Sequence, residues 1–282
     1  FDLNRKIGSF IAILPPHPVL NQNLGGRLDV TVASTGSFSG SLRLGSAKHS
    51  VRGLVAASVE NRDLAFAFVR ISRGKQPALD LEFTVDDAEL LTSGALSDGS
   101  NGLIFSGWRN SWSATNSPSA LVGVSAPLGV YHFGMDISPD FIGSALKPQG
   151  TGYGTVTIHG TTGIASTVGR LADGTEFLAA GFAGQDGQIP IFAMPYKSSV
   201  TAALVGAPTI RFDGNPDENE LSGVMHWWRT ASTSKTERIY KSGFTEPLAL
   251  TVNGCRYVTP SSPNLILRSE ERRVGKECLR LC

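Results

Sequence analysis

Two stretches of this chain open on a glycine, pass through a similar succession of glycines and alternating residues, and close on Trp-Arg. The first runs from Gly8 through Gly26-Arg27-Leu28-Asp29-Val30-Thr31-Val32 and Gly36 to Trp108-Arg109. The second runs from Gly129 through Gly152-Tyr153-Gly154-Thr155-Val156-Thr157-Ile158 and Gly163 to Trp228-Arg229. Opening glycine and closing tryptophan are 100 residues apart in one and 99 in the other. Two related segments of that length predict a duplicated unit, and the unit's period says of what kind.

That period is two. Leu79-Asp80-Leu81-Glu82-Phe83-Thr84-Val85 is apolar on odd positions and polar on even ones, and Phe38 to Leu44 and Leu248 to Val252 show a similar period-two pattern. Strands of this kind have one buried and one wet face, which antiparallel sheets allow and parallel α/β sheets do not. Turn signals recur every eight to twelve residues or so, among them Ser97-Asp98-Gly99, Ala172-Asp173-Gly174 and Gln185-Asp186-Gly187. Asp-Gly between alternating runs marks a hairpin, because glycine supplies the positive φ the turn needs. No segment has the spacing of a helix. The expected fold is therefore all-β: two sequence-related antiparallel meanders forming barrel-like units, either two small barrels or one larger shared barrel. The units are expected at 1–112 and 128–267, joined by an aperiodic linker over 113–127. Phe83 and Trp228 are expected to be core.

Composition narrows the function. Charged residues are 17% of the chain and the formal net charge is +1, so no overall field attracts nucleic acid or an anionic membrane. Hydrophobic residues are 41%, enough for a core. No apolar run reaches the length of a membrane-spanning helix. Two of the three cysteines, Cys278 and Cys282, fall in a charge-rich end without alternation. The run Arg268 to Cys278 resembles a peptide found where open reading frames continue into vector or adapter sequence. Residues 268–282 are expected to be a non-native, disordered tail, and the alternative is a genuine charged tail. Without it the basic and acidic side chains nearly balance, and Cys255 alone cannot form an internal disulfide. The start at Phe1, without Met or a signal-peptide pattern, is that expected of a fragment or processed form.

Thr35-Gly36-Ser37-Phe38-Ser39-Gly40-Ser41-Leu42-Arg43-Leu44-Gly45, Pro148-Gln149-Gly150-Thr151-Gly152-Tyr153-Gly154, Leu171-Ala172-Asp173-Gly174-Thr175 and Tyr240-Lys241-Ser242-Gly243-Phe244 occur here in that order. Together they resemble a β-rich module found towards the C-terminus of large secreted bacterial proteins that carry immunoglobulin-like, cadherin-like or propeller repeats. The resemblance spans most of Gly8 to Leu267. It implies an extracellular or cell-surface setting and brings no catalytic residues with it.

Candidate sites are sparse. His17, His49, His132, His159 and His226 lack paired spacing, and there is no Cys-x-x-Cys for zinc. There is no Gly-x-Ser-x-Gly elbow. Gly150-Thr151-Gly152-Tyr153-Gly154 precedes a strand rather than a helix, so its glycines belong to a bulge or hairpin and not to a phosphate loop. Asp80 and Glu82, with Asp86 and Asp87 nearby, are explained as the wet side of a strand rather than a glycosidase pair. The turn Asp213 to Glu220 offers oxygens for calcium, but Pro216 interrupts the ligand spacing. No cofactor and no metal site are assigned.

The tryptophan ends of the two segments carry the remaining expectation. Neighbouring strand residues point to opposite faces, so Trp108 and Trp228 share one face and Arg109 and Arg229 the other. With the tryptophans inside, the arginines and Trp227 face water, where the first segment has Gly107. Trp227, Arg229 and Arg109 are then candidate binding residues for a glycan or another surface protein. The expected role is a non-catalytic module of a secreted or surface-exposed bacterial protein, serving adhesion, display or spacing. The alternatives are a carbohydrate- or protein-binding module built on Trp227, and an outer-membrane barrel.

Overall fold

The computed structural model describes residues 6–57, 64–86, 90–113, 121, 128–144, 146–196, 200–212, 214–215, 218–235 and 239–258. Every element longer than one turn among them is a β-strand, and the expected tail at 268–282 lies outside them. The first unit comprises β1 (Gly8–Leu14), β2 (Gly26–Val32), β3 (Ser37–Leu44), β4 (Ala47–Leu54), β5 (Ala56–Ala57), β6 (Ala65–Arg73), β7 (Gln76–Val85), β8 (Leu90–Ser97) and β9 (Gly102–Arg109). The second comprises β10 (Leu128–Ile137), β11 (Gly152–His159), β12 (Ile164–Arg170), β13 (Glu176–Phe182), β14 (Ile191–Ala193), β15 (Ala202–Gly206), β16 (Thr209–Arg211), β17 (Glu220–Arg229) and β18 (Leu248–Arg256).

All pairings are antiparallel. In each unit the first strand hydrogen-bonds to the last, in the orders β4-β3-β2-β1-β9-β8-β7-β6-β5 and β13-β12-β11-β10-β18-β17-β15-β14, with β16 also pairing β17. The open seams fall mid-sequence, where β4 lies against β6 and β13 against β14. The sheets thus curl into two separate, nearly closed barrel-like units rather than one shared barrel. Closure is how a meander hides its edges.

Alternation fills the interiors. Leu79, Leu81, Phe83 and Val85 of β7 are all fully buried, and the Phe83 ring meets Phe38 edge-to-face at 5.4 Å. A second, distinct core gathers Tyr131, Phe133, Val156, Phe177, Leu204 and Trp227. Each such side chain contributes about 1.5–3 kcal/mol by leaving water. Trp112 and Leu121 also insert into this second core. Trp112 covers the Gly163 turn, where a Cβ would sit 2.1 Å from the indole.

The closing seams of the two units share one register. Phe10 lies opposite Arg109 and Ala12 opposite Gly107. Tyr131 lies opposite Arg256 and Phe133 opposite Gly254. A Cβ on Gly107 would meet the Ile11 carbonyl oxygen at 2.3 Å, and one on Gly254 would meet that of His132 at 2.3 Å. Both positions need glycine because the neighbouring backbone occupies the space. The counterpart of Trp108-Arg109 is therefore Cys255-Arg256. Trp228-Arg229 sits on β17, which β18 separates from β10, so the expected equivalence of the two Trp-Arg pairs is corrected.

Candidate functional site

The faces of β17 are the reverse of the sequence expectation. Trp227 is 0% exposed and points into the barrel, boxed edge-to-face by Phe244 at 5.0 Å and Tyr240 at 6.2 Å. It offers no platform to a glycan or a protein. Trp228, on the opposite face of β17, is half-buried and packs against the margin of the second core rather than inside it. Trp108 is buried too, but outside the first core, facing the second unit. Arg109 turns towards its own chain end, donating to the Ile7 carbonyl at 3.1 Å.

Arg229, which shares the inward face with Trp227, is 0% exposed. Its Nη1 lies 3.3 Å from Oδ2 of Asp173, and its guanidinium sits 4.9 Å over the Tyr196 ring. The Tyr196 hydroxyl donates to the same Asp173 oxygen, while Thr175 N–H donates to the other at 3.0 Å. Burial, followed by the Asp173 carboxylate, pushes the Tyr196 phenol far above its ordinary pKa. This polar cluster plugs one end of the second barrel. At the other end Tyr131 donates to the Leu121 carbonyl at 2.6 Å and accepts from Asn219 at 3.0 Å. Burial raises the Tyr131 pKa as well. Asn219 comes from the turn expected to hold calcium, and its side chain points inward. Arg211 pairs Glu220 at 2.9 Å, Asn215 donates to Glu218 at 3.1 Å, and Asp213, Pro216 and Asp217 lie outside the described residues. Among the described residues no three His, Cys, Asp or Glu groups converge on a metal position.

The two barrels interlock. β13 is the outer strand of its sheet, and its edge carbonyls would otherwise be open. The first unit supplies their donors. Arg27 donates to Ala180 and Trp108 Nε1 to Phe182 at 3.0 Å; past the end of β13, Trp112 Nε1 donates to the Ala183 carbonyl at 2.8 Å from within the second core. Ala180 and Phe182 are two apart and so present their carbonyls on the same edge. Apolar contact surrounds these bonds: Ile11 of β1 is fully buried but belongs to neither core, and Val205 packs against Gly25. Beside this contact lies a cleft of about 390 Å³ lined by Pro15, Pro16, Trp108, Val224 and His226. Burial lowers the His226 pKa, which keeps the ring neutral at pH 7. The donor and acceptor residues lie 71 to 153 positions apart, and no local sequence signal joins them.

The fold and its sites define an all-β protein of two interlocked barrel-like units. No family model matches the chain, and no curated protein does. A solved structure of a protein of unknown function from the DUF3598 family of Nostoc punctiforme aligns over 91% of this chain and 97% of its own. Identity is 11% and the TM-score is 0.25, too low to carry an argument.

Proposed function

We propose that this chain is a non-catalytic module of a secreted or surface-exposed bacterial protein, acting as a rigid body in adhesion, display or spacing. One observation carries the reading: side chains of the first barrel complete the open edge of the second, through Arg27 and Trp108, and Trp112, just beyond β9, donates to Ala183 past the end of β13. Barrels joined in this way hold a fixed orientation, and interiors filled with side chains leave each one stiff. The duplicated architecture, with a shared closing register, extends the body without adding a flexible joint.

The outer-membrane alternative fits less well. Such a barrel is apolar outside and polar within. Here β2 turns Leu28, Val30 and Val32 inward, and Arg27, Asp29 and Thr31 to the other face.

The test places spin labels at Lys75→Cys and Glu246→Cys, one on each unit, with the native cysteines changed to serine. One narrow distance distribution supports the rigid body; a broad one overturns it. The setting is checked by antibody labelling of intact cells expressing the parent protein, and a signal found only after lysis would refute it.

A further inference from the structure

The first four strands turn an unusual face outward beside the second barrel. Ser9, Thr31 and Ser39 form one row across β1, β2 and β3, and Ser41 and Ser50 continue the next across β3 and β4. Ser9 and Thr31 share a hydrogen bond at 3.0 Å. These residues line a trough of about 590 Å³, closed on one side by Ile164 and Phe182 of the second barrel. Arg27 and Asp29 neutralise each other at 2.7 Å on its floor.

Charge is left over at the rim. Arg43 on β3 lies directly opposite Lys48 on β4, and Arg52 follows four residues along the same face of β4. All three are exposed, and among the described residues no carboxylate pairs with any of them. Like charges directly opposite across two strands destabilise a sheet. In a chain with net charge +1, three such cations on one hairpin are a local feature and not a consequence of overall charge.

We propose that this face binds an anionic polysaccharide, one whose sugars carry carboxylate or sulfate groups. Arg43, Lys48 and Arg52 meet the acid groups. The serine and threonine hydroxyls exchange hydrogen bonds with the sugar hydroxyls, and Ile164 and Phe182 take the C–H faces of the rings. A nucleic acid fits the trough poorly, since it presents few hydroxyls to this hydroxyl surface and finds no row of aromatic rings for base stacking. The proposal rests on the surface-module reading and gives it a ligand class.

Titration calorimetry of the full chain with polygalacturonate, dextran sulfate, neutral dextran and a single-stranded DNA oligomer tests it, at low and at physiological ionic strength. The expected result is binding of one or both acidic polysaccharides, tighter than DNA and weakened by salt, with no binding of neutral dextran. The variant Arg43→Ser/Lys48→Ser/Arg52→Ser should bind about tenfold or more weakly. A second variant, Arg70→Ser/Arg211→Ser/Lys241→Ser, removes equal charge elsewhere and should bind as the parent chain does. The first variant should melt no lower than the parent, because a like-charge pair has been relieved. Equal losses in the two variants, no binding of either polyanion, or DNA bound as tightly as polysaccharide would each overturn the proposal. The spin-label distances are independent of every one of these outcomes, so a failure here leaves the rigid-body reading to its own test.

Discussion

Replacing Arg229 separates the two faces of β17 in one measurement. A solvent-facing arginine, the sequence expectation, would tolerate Arg229→Met within about 0.5 kcal/mol, as surface positions do. The structure gives a different magnitude. Side-chain exposure is 0% for Arg229 and 4% for Asp173, and the guanidinium reaches the carboxylate at 3.3 Å. Methionine leaves that carboxylate buried with the Tyr196 hydroxyl and the Thr175 amide but no cation. Breaking a buried pair by removing one partner costs about 3–5 kcal/mol. At about 2–4 °C per kcal/mol for a protein of this size, the melting point should fall by roughly 10 °C. Urea denaturation followed by tryptophan fluorescence reads the cost directly. Asp173→Asn in the same chain removes the stranded charge, so the double variant should recover part of the loss, with a coupling of about 0.5–3 kcal/mol. A single variant within about 0.5 kcal/mol of the parent, or a double variant that is simply additive, refutes the buried pair.

Three further outcomes follow from the same geometry. Trp112→Phe keeps one aromatic ring but deletes the pyrrole half of the indole with the N–H that serves the Ala183 carbonyl at 2.8 Å; stability should drop by about 1–3 kcal/mol in chemical denaturation, and no change would show that this bond does not hold the contact. Gly107→Ala and Gly254→Ala each force a Cβ to within 2.3 Å of a neighbouring carbonyl oxygen; each should cost about 1–3 kcal/mol, and two variants as stable as the parent would show that the closing seams have room. Tyr131 and Tyr196 both ionise later when folded than their ordinary pKa of 10.0. The unfolded chain therefore releases these protons first, so their contribution is intact below about pH 10 and is lost as pH rises above it. Melting temperatures measured across that range should fall, and the fall should be shallower in Tyr196→Phe.

The fold was readable because its signal is local. Alternation over Leu79 to Val85 puts four side chains on one face, and burying that face is all β7 has to do. The hairpins were marked by residues adjacent in sequence, such as Gly99 with φ of 89° after Asp98. Which face of β17 is inside is a different kind of fact. His226, Trp227, Trp228 and Arg229 put a large ring on either side of the strand, so periodicity alone fixes two faces without saying which is dry. The choice is made by Phe244 and Tyr240 folding over Trp227, and by Asp173, 56 residues away, waiting for Arg229. The repeated Trp-Arg misled for a related reason. What the two units share at that point is a glycine under a crossing backbone and an arginine two residues later, and tryptophan stands between them in one unit while cysteine stands there in the other. Trp108 is free to differ from Cys255 because it faces out of its barrel, where its indole serves the neighbouring unit's edge. A barrel interior constrains both units alike, whereas the outer face of each is shaped by what it touches. Arg27 and Trp108 stand inside the repeated segment, yet what they join lies 153 and 74 residues away, so alternation shows the strands they sit on and not the contacts they make.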